Sequence, residues 1–525
     1  MTYCKTPILI KSLQNPVLYS HEVKYFKLIE THISWVLLTG NYAYKIKKNV
    51  DLGFLDFSSL EKRRYYCFEE LRLNSRLAED IYLDVVTISG TEDQPEIDGC
   101  GMAIEYAVKM RQFEPDKTFD HLLTKHQLTP AHIKQTAKVI ADFHRSIEKA
   151  ARDSEFGSAE AVMQPVRENF SQIEQLDSIE HPDNLKQLAT WSEQQYSTLL
   201  ALFSQRKQAG FIRECHGDLH LGNIALIASH AVPFDGIEFN PFLYWIDVIS
   251  EIAFLVMDLQ VKQSNDLAFH FLNEYLQFSG DYNGLQLLRF YQVYKAMVRA
   301  KVSAIRASQN TSEEQRRQAI ASYHAYLQLA NRYTQTSTPM LIIMHGVSGS
   351  GKSWLSEQII NRYQIIRIRS DVERKRLHHL SPQQKSHADI DRDLYSQSSS
   401  DKTYQYLLQL AVEILNASYN VIVDATFLQQ QQRQLFSREA ERMQIPFLIV
   451  HTRADKQILL KRIKDRAEKQ DNVSEADLAV LENQLQNLQA LSATELKDSM
   501  TIDTEKHTGF SRLWKFMDNI HGVRV

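Results

Sequence analysis

The chain has 525 residues, too many for one ordinary domain, and its 43% hydrophobic and 24% charged residues are a globular composition. A formal net charge of −4 argues against a broad basic surface for nucleic acid, and the four cysteines contain no Cys-x-x-Cys pair that would indicate a zinc site. No run of residues resembles a signal peptide or a membrane span, so we expect a multidomain cytoplasmic protein.

A hairpin is the first clear element. Two β-type runs, residues 33–38 and 42–46, flank a turn at Gly40, which is the pattern of an antiparallel strand pair. Lys45 and Lys47 share one face of the second run, because side chains alternate along a strand. The sequence therefore places two lysines side by side.

A long helix follows the hairpin. The segment Ser58–Glu61 reads as a capping box, and the pattern behind it predicts a helix to about Ala78. Glu69 and Glu70 lie beside the apolar stripe of this helix. Strands are predicted next, around 83–88 and 102–110, and then helices from residue 118 onward, interrupted at 211–240 by short strands and polar turns.

The interruption holds the sequence HGDLHLGN at residues 216–223 and a second turn with Asp235. Phosphoryl transfer from ATP needs a carboxylate near the acceptor hydroxyl and oxygen ligands for Mg²⁺. Protein kinases take these from a catalytic-loop Asp, an Asn five residues on and an Asp after the next strand. Asp218, Asn223 and Asp235 fit that spacing. The structural alternative is a polar loop whose Asp and Asn only cap turns.

These motifs resemble the aminoglycoside phosphotransferase family of small-molecule kinases, over roughly residues 30–300. The resemblance implies a protein-kinase-like fold and the following roles: Asp218 as catalytic base, Asn223 and Asp235 as Mg²⁺ ligands, Lys45 on the nucleotide phosphates with Glu70 as its helix partner, His216 orienting the loop, and residues 105–108 as the hinge that meets adenine. One departure is that no Gly-rich loop covers the phosphates.

Three assignments in this region stay open. Lys47 is an alternative to Lys45, because both face the same side of their strand, and Glu69 is an alternative to Glu70. Glu238 follows closely behind Asp235 and is a candidate for an auxiliary metal-binding or substrate-binding residue.

The sharpest motif is GVSGSGKS at residues 346–353. The apolar run 340–344 precedes it and a helical pattern follows, so the phosphate-binding loop has its required strand and helix. Lys352 would reach the β/γ-phosphates and the Ser353 hydroxyl would lie on Mg²⁺. The predicted nucleotide-binding residues are Gly346, Ser348, Gly349, Ser350, Gly351, Lys352 and Ser353.

Two carboxylates follow at strand ends. Asp371 lies just after the strand 365–369, where it can accept a proton from an acceptor hydroxyl, and Arg374 lies one turn on as a candidate for substrate binding. Asp424 ends the apolar strand 420–424 in the form of a Walker B carboxylate that holds Mg²⁺. A helix cap and a core strand with an edge Asp are the structural alternatives.

A basic helix completes the second set of motifs. Arg462 and Arg466 lie four residues apart on one helical face, where mobile arginines can neutralise transition-state charge, although a solvated basic face is the plain alternative. In this order the motifs resemble the P-loop kinases that include polynucleotide 5′-hydroxyl kinases, chloramphenicol phosphotransferase and zeta-type toxins. The whole chain resembles bacterial bifunctional aminoglycoside phosphotransferase/ATP-binding proteins.

The predicted fold has two parts. We expect an α+β protein-kinase-like region at residues 1–335, with a small β-rich lobe to about residue 112 and a helical lobe from about 113. An α/β doubly wound parallel-sheet P-loop domain follows at 336–525, after the polar, Thr-rich segment 331–339.

The predicted function is a tandem ATP-dependent phosphotransferase with two Mg²⁺-ATP sites, each acting on a hydroxyl of a small molecule. One alternative is a 5′-hydroxyl polynucleotide kinase in nucleic-acid repair, and another is a nucleotide-sensing regulatory ATPase. Residues 336–525 hold 25 Lys and Arg against 23 Asp and Glu, which is not the basic face of a phosphate-backbone binder. The sequence indicates no membrane partner and no particular oligomeric state.

Overall fold

The computed structural model describes residues 6–53, 55–176, 179–180, 182, 184–309, 312–380, 397–467 and 478–521. The chain forms two compact units. The first comprises Met1–Lys262 and Leu287–Thr334, and the second comprises Gln263–Gln286 and Gln335–Val525. One helical segment from the middle of the sequence therefore belongs to the unit that contains the P-loop.

The first unit begins with a short helix, α1 (Ile8–Ser12), and a six-stranded antiparallel sheet in the order β1-β2-β3-β6-β4-β5. Its strands are β1 (Lys27–Glu30), β2 (Ser34–Leu38), β3 (Tyr42–Lys47), β4 (Tyr82–Gly90), β5 (Pro95–Ile97) and β6 (Glu105–Arg111). The predicted hairpin is confirmed as β2 and β3. Gly40 turns between them at φ +101°, where a Cβ would lie 2.8 Å from Lys24 Cβ, so only glycine fits.

The predicted helix after the hairpin is α2 (Leu60–Ala78), and it lies against β4 and β6. Its N-cap is Ser59, whose hydroxyl accepts a hydrogen bond from Lys62 N at 3.2 Å. The cap is thus one residue later than the Ser58 of the predicted capping box. This helix carries Glu70 into the interior, because its buried residues recur on the face toward the sheet.

The rest of the first unit is helical, as predicted. Its helices are α3 (Phe119–Thr124), α4 (Pro130–Ser146), α5 (Ala159–Glu174), α6 (Asn184–Gln208), α7 (Pro241–Tyr244), α8 (Val248–Val261), α10 (Leu285–Ser308) and α11 (Glu313–Thr334). Two short antiparallel pairs interrupt them: β7 (Ile212–Glu214) with β10 (Trp245–Asp247), and β8 (Ile224–Ile227) with β9 (His230–Pro233). The loop HGDLHLGN lies between β7 and β8. The α+β arrangement predicted for this part is confirmed.

The second unit is built on a five-stranded parallel sheet in the order β12-β13-β11-β14-β15. Its strands are β11 (Leu341–His345), β12 (Ile366–Arg369), β13 (Val421–Asp424), β14 (Phe447–Arg453) and β15 (Ser499–Asp503). Its helices are α9 (Asn265–Ser279), α12 (Lys352–Tyr363), α13 (Ser370–Leu377), α14 (Gln397–Asn416), α15 (Gln430–Arg442), α16 (Lys456–Ala467), α17 (Leu478–Asn487) and α18 (Phe510–His521). Four strands and the doubly wound class were predicted, and β15 was not.

Helix α9 joins this sheet through Asn273. Asn273 Nδ2 donates to Ile365 O at 2.9 Å, and Arg367 N donates to Asn273 Oδ1 at 2.7 Å. The side-chain amide therefore satisfies backbone groups at the edge strand β12, which would otherwise be open to pairing with another chain. Among the helices that the structure describes, none combines the length and the apolar character needed to cross a bilayer.

Candidate functional sites

The predicted lysine and carboxylates of the first site lie together. Lys45 Nζ, on β3, is 2.7 Å from Glu70 Oε1 on α2 and 2.6 Å from Asp235 Oδ1. The structure thus joins the strand, the helix and the Asp235 turn through one ammonium group. Glu69, the alternative to Glu70, instead pairs with Arg72 at 2.8 Å.

Lys47 has a different environment from Lys45. Its side chain is fully buried, lies 2.7 Å from Glu70 Oε2 and forms a second ion pair with Glu238. Although burial opposes ionisation, the ammonium groups of Lys45 and Lys47 lower the pKa of Glu70 to about 2. Burial raises the pKa of Glu238. We assign Lys47 and Glu238 to the core of this site, while Lys45 is the lysine beside the candidate metal ligand Asp235.

The loop HGDLHLGN brings its acid and its amide together. Asn223 Nδ2 donates to Asp218 Oδ2 at 3.0 Å and to the backbone carbonyl of Asp235 at 3.3 Å. About a third of the Asp218 side chain, 34%, is exposed, so an acceptor can approach it. Burial would raise the pKa of Asp218, but His220 beside it, with His216 and Arg299, holds that pKa below its usual range. Asp218 is therefore a carboxylate at neutral pH.

Backbone contacts fix the orientation of this loop. His216 Nδ1 accepts a hydrogen bond from Asp218 N at 3.3 Å, and its Nε2 donates to Phe234 O at 2.9 Å. Asp235 has φ +60°, an uncommon value for a non-glycine residue, and its N–H donates to Tyr82 Oη at 3.0 Å. His216 thus links the Asp218 loop to the Asp235 turn, in the position expected for an orienting residue.

Two acids that the sequence reasoning did not assign to this site also hold the loop. Glu251 Oε2 accepts from Gly217 N at 2.7 Å, and Asp258 Oδ2 accepts from Leu221 N at 3.0 Å. Both belong to α8, which is otherwise strongly apolar and buried. A signal was present, because carboxylates in so apolar a helix need buried partners.

The expected hinge is the main correction in the first unit. Residues 105–108 were expected to meet adenine, but they lie inside β6, where Val108 is paired with Lys45. Glu105 Oε2 is 2.9 Å from Arg63 Nε, and both side chains are buried. The chain leaves the sheet only after Arg111, so the connection to the helical part lies later than expected.

The P-loop of the second unit has the backbone of an anion cradle. Gly346, Gly349 and Gly351 have φ values of +143°, +81° and +93°. A Cβ on Gly346 would lie 2.5 Å from Thr452 O, so a side chain is excluded there. Helix α12 begins directly after Gly351 and adds the positive end of its dipole.

Protein groups satisfy this loop from both sides. Ser348 N donates to Gln484 Oε1 on α17 at 2.7 Å, so the amide already points at an oxygen acceptor. The buried Lys352 Nζ donates to Val347 O at 2.9 Å, within its own loop. Ser350 Oγ is 2.8 Å from Thr452 Oγ1 on β14, which holds the loop on the sheet.

Most of the predicted residues of the second site line one cavity of about 740 Å³, whereas Gly346 and Ser350 do not line it. It is lined by P-loop residues and by side chains from the other predicted motifs, among them Ser348, Gly349, Gly351, Lys352, Ser353, Asp371, Arg374, Asp424 and Arg462. Asp424, at the end of β13, is 3.4 Å through Oδ2 from Ser356 Oγ, one turn beyond Ser353. Parallel strand ends meet at this edge of the sheet, which explains the convergence.

Arg462 and Arg466 were predicted to act on phosphates, and Arg374 was predicted to bind the substrate. Arg462 donates to Gly349 O at 3.1 Å and to Thr504 O at 3.1 Å, so it lies over the P-loop. Arg374 Nη1 is 3.8 Å from Asp371 Oδ1. Arg466 lies on α16, but its side chain is outside the described residues. Thr504, just after β15, was not predicted because that strand was not.

Comparisons with known proteins identify the P-loop region and a set of relatives that match most of the chain. Residues 341–491 match the family model of an AAA domain, which confirms the P-loop region. Two proteins, Rv2004c of Mycobacterium tuberculosis and Mb2027c of Mycobacterium bovis, both called uncharacterized, are each 30% identical over 439 residues, 83% of this chain and 86% of theirs.

Two solved structures are similar to part of the chain. A choline/ethanolamine kinase family protein from Mesorhizobium loti has 10% identity and a TM-score of 0.40, covering 62% of this chain and 96% of its own. A sugar kinase from Janibacter sp. HTCC2649 has 17% identity and a TM-score of 0.28, covering 36% of this chain and 99% of its own.

Proposed function

The chain belongs to the same family as the mycobacterial protein Rv2004c, and we propose that it is a tandem ATP-dependent phosphotransferase. Each of its two units transfers the γ-phosphoryl group of ATP to a hydroxyl of a small molecule. The observation that carries the proposal is the cavity of about 740 Å³ in which the P-loop faces Asp371, Asp424 and Arg374.

The residues of this cavity fit ATP and Mg²⁺. The glycine cradle excludes side chains, and Ser348 N points at an amide oxygen that a phosphate oxygen can replace. The hydroxyl of Ser353 and the carboxylate of Asp424 are hard oxygen donors of the kind Mg²⁺ prefers. When bound, the nucleotide supplies the phosphoryl group and the metal neutralises its charge.

The chain's own side chains then have distinct tasks in the second unit. Asp371 accepts the proton of the acceptor hydroxyl as the oxygen–phosphorus bond forms, and the bond from the γ-phosphorus to the bridging oxygen breaks. Lys352 leaves Val347 O to bind phosphate, and Arg462 adds positive charge over the loop. Arg374, close to Asp371, orients the acceptor.

In the first unit the corresponding tasks fall to a second set of residues. Asp218 takes the proton from the acceptor hydroxyl, and its low pKa keeps it ready as a carboxylate. Asn223 and Asp235 supply oxygen atoms for Mg²⁺, and Lys45 moves from Asp235 to the nucleotide phosphates while Glu70 holds it. Mg²⁺ prefers oxygen ligands and the nucleotide phosphates need a positive charge, so oxygen donors beside a lysine fit both.

The experiment is a phosphorylation screen of a metabolite extract with labelled ATP, using the wild type, Asp218→Ala and Lys352→Ala. We expect two sets of labelled products, one lost in each variant. A 5′-hydroxyl oligonucleotide is included as a rival acceptor, and labelling of it alone would identify a polynucleotide kinase instead. ATP consumption that neither substitution changes would refute the proposal.

A further inference from the structure

Two basic side chains of α10 lie next to the loop of Asp218. Lys295 is 6% exposed, and its Nζ is 3.5 Å from Gly217 O and 5.0 Å from the ring centroid of Phe254. Arg299 follows four residues later, on the same face of the helix, and its Nε is 3.4 Å from Tyr326 Oη. Both cations therefore face the surroundings of the candidate base.

Neither cation has a carboxylate at ion-pair distance among the described residues; the polar contacts are the carbonyl of Gly217 and the hydroxyl of Tyr326. The same unit treats its other deeply buried cations differently. Lys47 lies between two carboxylates, and Arg206 is 2.7 Å from Asp247. A buried ammonium without such a partner is costly, and burial accordingly lowers the pKa of Lys295.

We propose that Lys295 and Arg299 bind an anionic group, a carboxylate or a phosphate, of the molecule phosphorylated at the first site. The acceptor is then a hydroxylated small anion. This inference rests on the proposed transferase function of that site, and it goes further by naming the chemical class of its substrate. A polycationic acceptor would meet two positive charges beside Asp218.

The electrostatic neighbours of these cations separate them from the nucleotide. Burial lowers the pKa of Lys295 against the attraction of Asp218 and Glu251, and Tyr326, with Asp258 and Asp218, raises the pKa of Arg299 despite burial. For Lys45, assigned to the nucleotide phosphates, the carboxylates that raise the pKa against burial are instead Asp235, Glu70 and Glu238. The base therefore has its own pair of cations, distinct from the lysine beside the candidate metal ligand.

The pair also has geometry suited to an anion. An arginine offers a planar fork of donors that matches carboxylate and phosphate, and a lysine adds a compact charge. Tyr326 steadies the Arg299 guanidinium from one side, so part of its donor set stays available. The nearby Glu251 is already engaged, because it accepts from Gly217 N and is 3.1 Å from His144 Nε2.

Titration calorimetry on the full chain carrying Lys352→Ala tests the inference without turnover. The probes are inorganic phosphate, gluconate and glucose 6-phosphate, with glucose as the neutral control and glucosamine as the cationic control. We expect the anions to bind and the two controls to bind at least about tenfold more weakly. Equal or stronger binding of glucose or glucosamine would overturn the inference.

Variants of the pair assign the binding to these side chains. Lys295→Met and Arg299→Met should each weaken the binding of the anions by at least about tenfold. Arg306→Met, which changes an exposed arginine of the same helix, should leave that binding unchanged. Arg299 is only partly buried, so its variant keeps the test valid if Lys295→Met fails to fold. Anion binding that survives both substitutions would contradict the inference.

The same variants separate the acceptor from the nucleotide. Binding of Mg²⁺ with a non-hydrolysable ATP analogue should be unchanged in Arg299→Met. If the substitution weakens binding of the analogue and leaves binding of the anions unchanged, the pair binds the γ-phosphate and the inference is wrong. Failure of the transferase proposal would show itself differently, as a lack of Asp218-dependent phosphorylation in the extract screen.

Discussion

The two candidate sites differ in how their charges are used within the protein. In the first unit Lys45 touches both Glu70 and Asp235, and Lys47 is closed in by Glu70 and Glu238. In the second unit the corresponding groups line a cavity of about 740 Å³, and Lys352 Nζ donates a hydrogen bond of 2.9 Å to Val347 O in its own loop.

The difference indicates whether the charged groups of each site stabilise the fold or remain available to a ligand. Charges that neutralise one another in a buried network support the fold, so removing one leaves another unpaired. Charges that line a cavity are available to a ligand and contribute less to folding. We therefore expect substitutions in the first network to cost stability, and substitutions around the cavity to cost activity.

The largest expected effect is on catalysis at the first site. Asp218→Asn keeps the shape of the side chain but removes the base, so first-site turnover should fall about 10²–10⁴-fold. Second-site turnover should be unchanged, as should both activities in Asp142→Asn, which alters an exposed acid of α4. Product-resolved kinetics on the acceptors found in the screen measure this, and retained first-site turnover would exclude Asp218 as the base.

The next effect is on stability. Lys47→Met leaves Glu238 without its buried partner and removes one of the two ammonium groups beside Glu70, so it should lower the free energy of unfolding by about 3–5 kcal/mol. Lys48→Met is the control on the neighbouring residue, whose partner Glu30 is exposed, and it should cost at most about 1 kcal/mol. Denaturant titration compares the two, and equal costs would show that the first network does not stabilise the fold.

A third prediction concerns pH in the second unit. Burial, with His451 and Arg433 nearby, lowers the pKa of His345 from 6.5 to about 4. The fold favours the neutral imidazole of His345, which therefore contributes about 3 kcal/mol to the free energy of unfolding. This contribution is complete above pH 6.5 and is lost as pH falls toward 4.

His345→Gln should remove that loss of stability between pH 6.5 and 4, while the exposed His507→Gln should leave it in place. The first unit should lose stability at a lower pH than the second. The pKa of Glu70 falls from 4.5 to about 2, so the stabilisation from its carboxylate is lost only as pH drops through that range. Unfolding curves at several pH values test the order of the two losses.

The smallest effect is expected at the arginine over the P-loop. Arg462→Lys keeps a charge but loses the fork that reaches Gly349 O and Thr504 O together, so second-site turnover should fall about tenfold. Lys461→Met, on an exposed neighbour, should have no effect. A loss in the Lys461 variant of equal size would mean that general basicity matters rather than the contact of Arg462.

Much of the framework was predictable because its signals are local. The hairpin, α2 and the P-loop each follow from spacing, turns and caps within a few residues. Strand β15 was missed because Ser499–Asp503 is short and largely polar, and it becomes a strand only by pairing with β14. Helix α9 shows a related limit: an apolar pattern shows that a face is buried, but not against which core.

For the sites too, local spacing predicts some features and only the three-dimensional structure shows the others. Spacing proposed Asp218, Asn223 and the P-loop residues as candidates, but it left Lys45 and Lys47 equivalent, since both lie on one strand face. Only the three-dimensional positions of Glu238 and Asp235 separate them. Lys295 and Arg299 belong to no sequence motif. They stand out only in the structure, because no carboxylate lies at ion-pair distance from either of them in the described part of the chain.

The most direct test of two independent transferase sites is a double-variant comparison with labelled ATP and the metabolite extract. Asp218→Asn and Lys352→Ala should each abolish one set of labelled products and spare the other, and the double variant should abolish both. If a single substitution removes every labelled product, or if the double variant retains them all, the chain does not contain two independent phosphotransferase sites.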